Sequence, residues 1–184
     1  MYRRTVFLIS CLLIKLVTGD FAERLLEQHN ELRATHNIGP LKLDDDLTKK
    51  ANDFVRKAAK NGEFFDGQDP PPGVNTMMVC ASYKRKEDSA KDVASSWYDE
   101  VCSDDFSFSD SGTLQKATAF TQMIWKDTKL LGVAKATSKD GAESCSFIAA
   151  VYRPAGNIDV GFKDNVKEGE FKRSEYCSKF NDKR

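Results

Sequence analysis

The sequence predicts an α+β fold in which helices come first and a β-hairpin follows. Apolar residues with helical spacing dominate the chain as far as residue 127. Two runs rich in β-branched and apolar residues, 131–137 and 145–153, come next, with Asp140-Gly141 between them. An Asp-Gly pair in that position is typical of a hairpin connection. No repeat or second domain is visible in the 184 residues, so one core is expected.

The first two helices are predicted from their apolar stripes and their end signals. Residues 21–37 carry apolar side chains every three or four positions, and Asn37 to Pro40 supply a stop. The second stripe begins at Leu47 and follows three aspartates, which suit an N-cap and the first turn of a helix. Asn61-Gly62 predicts the end of this helix.

Two shorter helices and two irregular segments complete the prediction. The helices are expected at 89–101 and 116–127. Three consecutive prolines, Pro70 to Pro72, predict an extended surface loop over residues 63–75. The charged remainder from Lys163 predicts an extended tail that is tied back through Cys177.

The first nineteen residues have the pattern of a secretory signal peptide. Arg3 and Arg4 precede an apolar run that Lys15 interrupts before it reaches the ~20 residues of a membrane-spanning helix. We therefore expect cleavage after Gly19, no transmembrane anchor and an extracellular protein. Cleavage removes three basic and no acidic side chains from a neutral chain, which leaves a net charge of about −3. This balance offers no basic field for a nucleic acid partner.

The cysteines predict a disulfide-bonded domain. Four of them remain after cleavage, an even number in a chain routed to an oxidising compartment, namely Cys80, Cys102, Cys145 and Cys177. Two disulfides are expected, in any of three pairings. The wide spacings lack the paired short intervals of a structural zinc site.

Five segments, in order along the chain, resemble motifs of the CAP superfamily, which includes plant pathogenesis-related proteins, venom antigen 5 and helminth venom-allergen-like proteins. The segments are His29-Asn30-Glu31-Leu32-Arg33, Leu41-Lys42-Leu43 with Leu47 and Ala51, Trp97-Tyr98-Asp99-Glu100, Phe120-Thr121-Gln122-Met123-Ile124-Trp125-Lys126, and Tyr152-Arg153-Pro154-Ala155-Gly156-Asn157. The resemblance implies an α–β–α sandwich with a small antiparallel sheet between helices. It also implies a domain organisation of signal peptide 1–19, CAP domain 20–166 and C-terminal tail 167–184.

Typical members of this superfamily carry two histidines and two glutamates in a central cleft that can bind a divalent ion. Carried over to this sequence, the pattern retains Glu100, while Phe65, Thr76 and Ala119 stand at the replaced positions. One ligand cannot hold zinc, so no metal, no cofactor and no enzymatic activity are expected. Glu100 is then either an isolated carboxylate with a raised pKa or, as we favour, a hydrogen-bonded residue at a helix end.

The two histidines of the chain match no position of that cleft. His29 is predicted to be packed or hydrogen-bonded within the first helix. His36 is predicted to be a surface residue near the end of that helix.

Three functions compete at this point. The first is a secreted non-enzymatic protein that binds a sterol or fatty acid, or an extracellular protein receptor, in defence or immune modulation, as the resemblance implies. Lipid-lining candidates on the first and fourth helices are Leu25, Leu32, Phe120, Met123 and Ile124. The second is a divalent-metal-dependent hydrolase with a reduced site, in which Glu63 or Asp66 assists Glu100. The third is a purely structural interaction module, whose partner surface comprises Pro70 to Pro72 and the tail.

Overall fold

The computed structural model describes residues 20–82, 89–140 and 143–183. The predicted signal peptide lies outside these residues, and so does Gly141 of the predicted hairpin connection. The helices are α1 (20–35), α2 (Asp45–Asn61), α3 (Ala90–Tyr98), α4 (Thr118–Met123), α5 (Phe162–Asn165) and α6 (Arg173–Cys177). The strands are β1 (Lys42–Leu43), β2 (Val74–Ser82), β3 (Leu130–Asp140) and β4 (Glu143–Arg153).

The end signals of α2 act as the sequence predicts. The side chain of Asp44 accepts a hydrogen bond from the backbone N–H of Leu47. At the other end Gly62 adopts a left-handed conformation with φ of 84°, and its N–H donates to the carbonyl of Ala58. Both ends of the second predicted helix are therefore confirmed.

One sheet of four strands, in the order β1-β3-β4-β2, forms the middle of the molecule. The predicted hairpin is confirmed as β3 and β4, which pair antiparallel. Strand β2 pairs antiparallel with the outer side of β4, and the two-residue β1 pairs parallel with β3. Neither β2 nor the parallel pairing of β1 was predicted from the sequence.

Helices cover both faces of this sheet. Along β4, Phe147, Ala149 and Val151 face the cluster around α2, whereas Ile148 and Ala150 face the cluster that includes α1, α3 and α4. The alternation shows two separate apolar layers, so the predicted α–β–α sandwich is confirmed.

Helix α2 lies directly against the backbone of β3 at Gly132. A Cβ atom added to this glycine would lie 2.1 Å from the carbonyl carbon of Leu47. No side chain other than hydrogen fits in that space, and the contact fixes how closely helix and sheet approach.

The C-terminal segment is more ordered than the predicted extended tail. It forms α5, α6 and a final 3-10 segment, Ser178–Lys183. A disulfide joins Cys177 to Cys102, as the predicted tie requires, and Arg173 donates hydrogen bonds to the carbonyls of Val101 and Ser103. These long-range contacts leave no signal in the local sequence, so periodicity could not predict them.

The second disulfide joins Cys80 of β2 to Cys145 of β4, which are directly opposite residues of the sheet. All four candidate cysteines are thus paired, and one of the three possible pairings is selected. Among the helices formed by the described residues, none has both the length and the apolar character needed to cross a bilayer.

Candidate functional site

Glu100 joins the end of α3 to the beginning of α4. Its Oε2 accepts hydrogen bonds from the backbone N–H groups of Ala119 and Phe120, at 2.8 and 3.1 Å. Burial raises the pKa of this carboxyl group, and the two backbone donors oppose that rise. The carboxylate therefore satisfies two N–H groups that the first turn of α4 would otherwise leave without partners.

The structure brings together only two of the four positions predicted from the family cleft, Glu100 and Ala119. Phe65 lies in the cluster on the α2 face of the sheet, with its ring centroid 5.2 Å from that of Phe54. Thr76 lies on β2, where its carbonyl accepts a hydrogen bond from the indole N–H of Trp97.

His29 is fully buried and has a hydrogen-bonding partner at each ring nitrogen. Nδ1 lies 2.7 Å from the carbonyl of Leu25, and Nε2 lies 2.7 Å from the hydroxyl of Tyr152. Because a carbonyl can only accept, Nδ1 carries the proton and Nε2 accepts from Tyr152. Burial lowers the pKa of His29 to about 4; the bond to Leu25 opposes this fall, and the charge of Arg33 adds to it. The prediction of a packed, hydrogen-bonded helix residue is confirmed.

The prediction that His36 is a surface residue is wrong. Only 1% of its surface is exposed, and its ring nitrogens lie 2.7 Å from the carbonyl of Lys167 and 2.7 Å from the hydroxyl of Tyr98. Phe171, also from the C-terminal segment, packs on its ring with a centroid separation of 5.1 Å. His36 is buried because distant residues fold over the end of α1.

A pocket of about 500 Å³ opens beside the first residue of α4. Residues from three parts of the chain line it, namely Asp69, Pro70, Pro71, Pro72, Gly73, Val74, Asn75, Thr118 and Asn157. The sequence predicted Pro70 to Pro72 as a surface loop and, in the interaction-module hypothesis, as part of a partner surface. Val74 and Asn75 were not among the predicted site residues, because the strand that carries them was not predicted.

Asn75 is the buried polar residue of this pocket, with 4% of its surface exposed. Its Nδ2 donates to the carbonyl of Ala119 at 3.0 Å and to the hydroxyl of Tyr152 at 3.2 Å. Its Oδ1 accepts no hydrogen bond from the described residues and is not among their buried unsatisfied atoms. Because Asn75 lines the pocket, this oxygen is the acceptor that its side chain offers to a ligand.

The walls of the pocket are held in place by the backbone around them. Gly73 has a φ of 77°, and a Cβ added there would lie 2.8 Å from the Cβ of Ala155. Asn157 also has a positive φ, 61°, and its side chain donates to the carbonyl of Thr118 and accepts from the hydroxyl of Thr121. These contacts fix the backbone of Gly73 and the side chain of Asn157 in the wall of the pocket.

The five residues predicted to line a lipid channel lie elsewhere. Four of them are fully buried in the cluster on the α1 face of the sheet, namely Leu25, Phe120, Met123 and Ile124. Leu32 is partly buried and packs against the same cluster. In this structure the five side chains pack as core, and none of them lines the pocket beside α4.

Across residues 20–82, 89–140 and 143–183, the structure forms no group of three or more histidine, cysteine, aspartate or glutamate side chains arranged to hold a metal ion. Each histidine is already hydrogen-bonded to a carbonyl and a tyrosine hydroxyl. The pocket presents an apolar wall and a few hydrogen-bonding groups.

Comparison with known proteins places these observations in a family. The chain is 33% identical over 155 residues to the human Golgi-associated plant pathogenesis-related protein 1, covering 83% of this chain and 96% of that protein. It is 28% identical over 148 residues to protein PRY2 of Saccharomyces cerevisiae, covering 80% of this chain but only 41% of the yeast protein. The crystal structure of NaASP2 with Zn2+ matches with a TM-score of 0.56 at 18% identity, covering 87% of this chain and 89% of that one.

The solved structure has the same fold as this chain. The human relative aligns with this chain over 96% of the relative's own length, at 33% identity. The profile of the cysteine-rich secretory protein family, abbreviated CAP, matches residues 26–152. The chain therefore belongs to the cysteine-rich secretory protein (CAP) family.

Proposed function

We propose that this CAP-domain protein is an extracellular binding protein without hydrolytic activity, which acts by recognising a small ligand or a protein partner in defence or immune modulation. The bonding of Glu100 is the observation that carries the proposal. This single retained carboxylate of the predicted cleft accepts hydrogen bonds from two backbone N–H groups of α4, and among the described residues it belongs to no group of three or more side chains arranged to hold a metal ion. A residue used in this way holds the fold together.

The histidines support the same conclusion. A serine or water nucleophile needs a base that can take its proton near neutral pH, and histidine usually fills that role. His29 and His36 are buried, and burial lowers the pKa of both. Each also uses both ring nitrogens in hydrogen bonds to its own fold, so neither is available as a base or as a ligand.

Two disulfides support an extracellular location, because such bonds persist in oxidising compartments. The human relative is named for an association with the Golgi, so secretion needs a direct test. We expect the protein in the culture medium of a secreting eukaryotic host, without residues 1–19 and with all four of Cys80, Cys102, Cys145 and Cys177 oxidised. A chain retained in the cells with its leader would contradict the proposal.

A surface ligand is favoured over a lipid buried between α1 and α4. Phe120 and Met123 are fully buried there, and a chain or ring system could enter only by displacing packed side chains. Native mass spectrometry of the secreted protein is therefore expected to show the mass of the bare, oxidised chain. A sterol or fatty acid adduct would instead favour the predicted lipid-lining residues.

Replacing Glu100 with glutamine tests the absence of catalysis. The amide oxygen can still accept from Ala119 and Phe120, and the cost of burying a charge is removed, so the free energy of unfolding should change by less than about 1 kcal/mol. Esterase, peptidase and phosphatase activities, with and without added divalent ions, are expected to be negligible in both proteins. Activity that disappears in the glutamine variant would show that the protein is a hydrolase.

The alanine variant is the matched control for the structural role. Glu100→Ala leaves two N–H groups of α4 without an acceptor, and about 2 kcal/mol of stability should be lost. Urea denaturation measures this loss. Equal stability of the alanine and glutamine variants would mean that the two hydrogen bonds do not hold α4 in place.

A further inference from the structure

We propose that the pocket beside α4 binds a compact aromatic amine, with its ring against the three prolines and its ammonium group toward Asp69. The inference rests on the proposed binding function and names the chemical class of ligand. Charge, hydrogen bonding, wall chemistry and size each support it independently.

Charge selects a cation. Of the described residues that line the pocket, Asp69 alone is ionisable, and none is a lysine, arginine or histidine. The nearby Asp66, by contrast, is already ion-paired with Lys57 at 3.3 Å. A cationic ligand thus meets an attractive carboxylate, whereas the described lining offers an anionic ligand no positive charge.

The hydrogen-bonding groups favour a donor. The Oδ1 of Asn75 and the carboxylate of Asp69 can only accept, and the hydroxyl of Thr118 can accept or donate. The Nδ2 of Asn75 is occupied by Ala119 and Tyr152, so this amide cannot rotate to offer a donor. An ammonium group has three donors and no acceptor, which suits such a site.

The apolar wall selects an aromatic ring. Pro70, Pro71 and Pro72 are exposed and contribute three consecutive rigid rings to the lining of the pocket. Their C–H bonds present slight positive charge to the negative face of an aromatic ring, as proline segments do in aromatic-lined grooves. Val74 adds an aliphatic surface beside Asn75.

The size of the pocket limits the ligand and its affinity. A volume of about 500 Å³ suits a small organic molecule. The pocket is open at its rim, where Asp69 and the prolines are exposed, so a ligand with one ring and a short amine should bind with a Kd of about 1 mM.

Chemical-shift titration of the oxidised, ¹⁵N-labelled protein tests the inference with four matched probes. Phenethylamine has an aromatic ring and a positive charge. Phenethyl alcohol has the same ring without a charge, and phenylpropionate has the ring with a negative charge. Cyclohexylethylamine keeps the positive charge but has a saturated ring. We expect phenethylamine to shift the amide signals of Gly73, Val74, Asn75 and Thr118, and to bind about fivefold more tightly than any of the other three.

Two variants separate the pocket from the rest of the loop. Asp69→Asn should weaken phenethylamine about fivefold and leave phenethyl alcohol unchanged. Asp66→Asn is the control, because Asp66 lies three residues away, makes the ion pair with Lys57 and does not line the pocket. The affinity of the Asp66→Asn variant for phenethylamine should equal that of the unmodified protein.

Equal binding of the four probes, or an affinity that Asp69→Asn does not change, would overturn the inference. So would the absence of shifts at Gly73, Val74, Asn75 and Thr118. Such titration results would not affect the proposed function, provided that neither the unmodified protein nor the Glu100→Gln variant shows hydrolysis. Hydrolysis that depends on Glu100 would instead refute the proposed function, whatever the amine titrations show.

Discussion

Replacing Arg33 with alanine is expected to lower the free energy of unfolding by about 4 kcal/mol. This side chain is fully buried, and its guanidinium donates to the carbonyls of Gly39, Met123, Trp125 and Thr128 at 2.8 to 3.1 Å. Burial lowers its pKa to about 10, so it stays charged at neutral pH. Truncation leaves several buried carbonyls without donors at the junction between α4 and β3, and urea denaturation measures the loss.

Two further variants show whether the loss comes from these bonds. Arg33→Lys keeps the charge but not the planar fork that reaches four carbonyls, so about half of the loss should remain. Arg56 is exposed on α2, and its replacement by alanine should change stability by less than about 0.5 kcal/mol. If lysine restored full stability, a buried positive charge would suffice and the four directed hydrogen bonds would not matter.

Acid is expected to destabilise the protein through its buried histidines. The pKa of His29 falls from 6.5 to about 4 on folding, so between these values the unfolded chain binds a proton that the folded chain does not. The stability that neutral His29 contributes is therefore complete above pH 6.5 and falls by about 1.4 kcal/mol per unit below it, or about 3 kcal/mol in total. His36 acts in the same direction, because burial lowers its pKa too.

Urea denaturation at several pH values between 7 and 4 tests this contribution against the variant His29→Gln. The glutamine cannot bind a proton, so the variant should be less stable than the unmodified protein at pH 7. Between pH 6.5 and 4 its free energy of unfolding should also fall less steeply with decreasing pH, by the slope that corresponds to the uptake of about one proton. Parallel stability curves for the two proteins would show that His29 takes up its proton equally well in the folded state.

Local signals in the sequence were enough to predict much of the fold. The capping aspartate and the final glycine fix both ends of α2, and the runs around Asp140 predict the β3–β4 hairpin. Strand β2 was missed because Asn75 interrupts its apolar pattern just after the prolines. The polar side chain is tolerated there because Ala119 and Tyr152, both distant in sequence, accept its hydrogen bonds.

The site was predicted less completely than the fold. The resemblance named Glu100 and Ala119 as two positions of one cleft, and in the structure the backbone N–H of Ala119 donates a hydrogen bond to Glu100. The pocket depends on Asn157 and Thr118, which are 39 residues apart and meet only in the folded chain. No periodicity or motif spacing encodes such a meeting. The burial of His36 escaped prediction for the same reason, since Lys167 and Phe171 cover it.

The aromatic packing around His36 also bears on what counts as one folding unit. The family profile ends at residue 152, yet Phe171 lies beyond it with 6% of its surface exposed, in the same core as Tyr98 and Phe120. The family profile therefore ends before the packed core does, and we expect the segment that unfolds cooperatively to include Phe171. A chimera that transplanted only the segment matched by the profile would carry the sheet but leave one side of the aromatic core open to water.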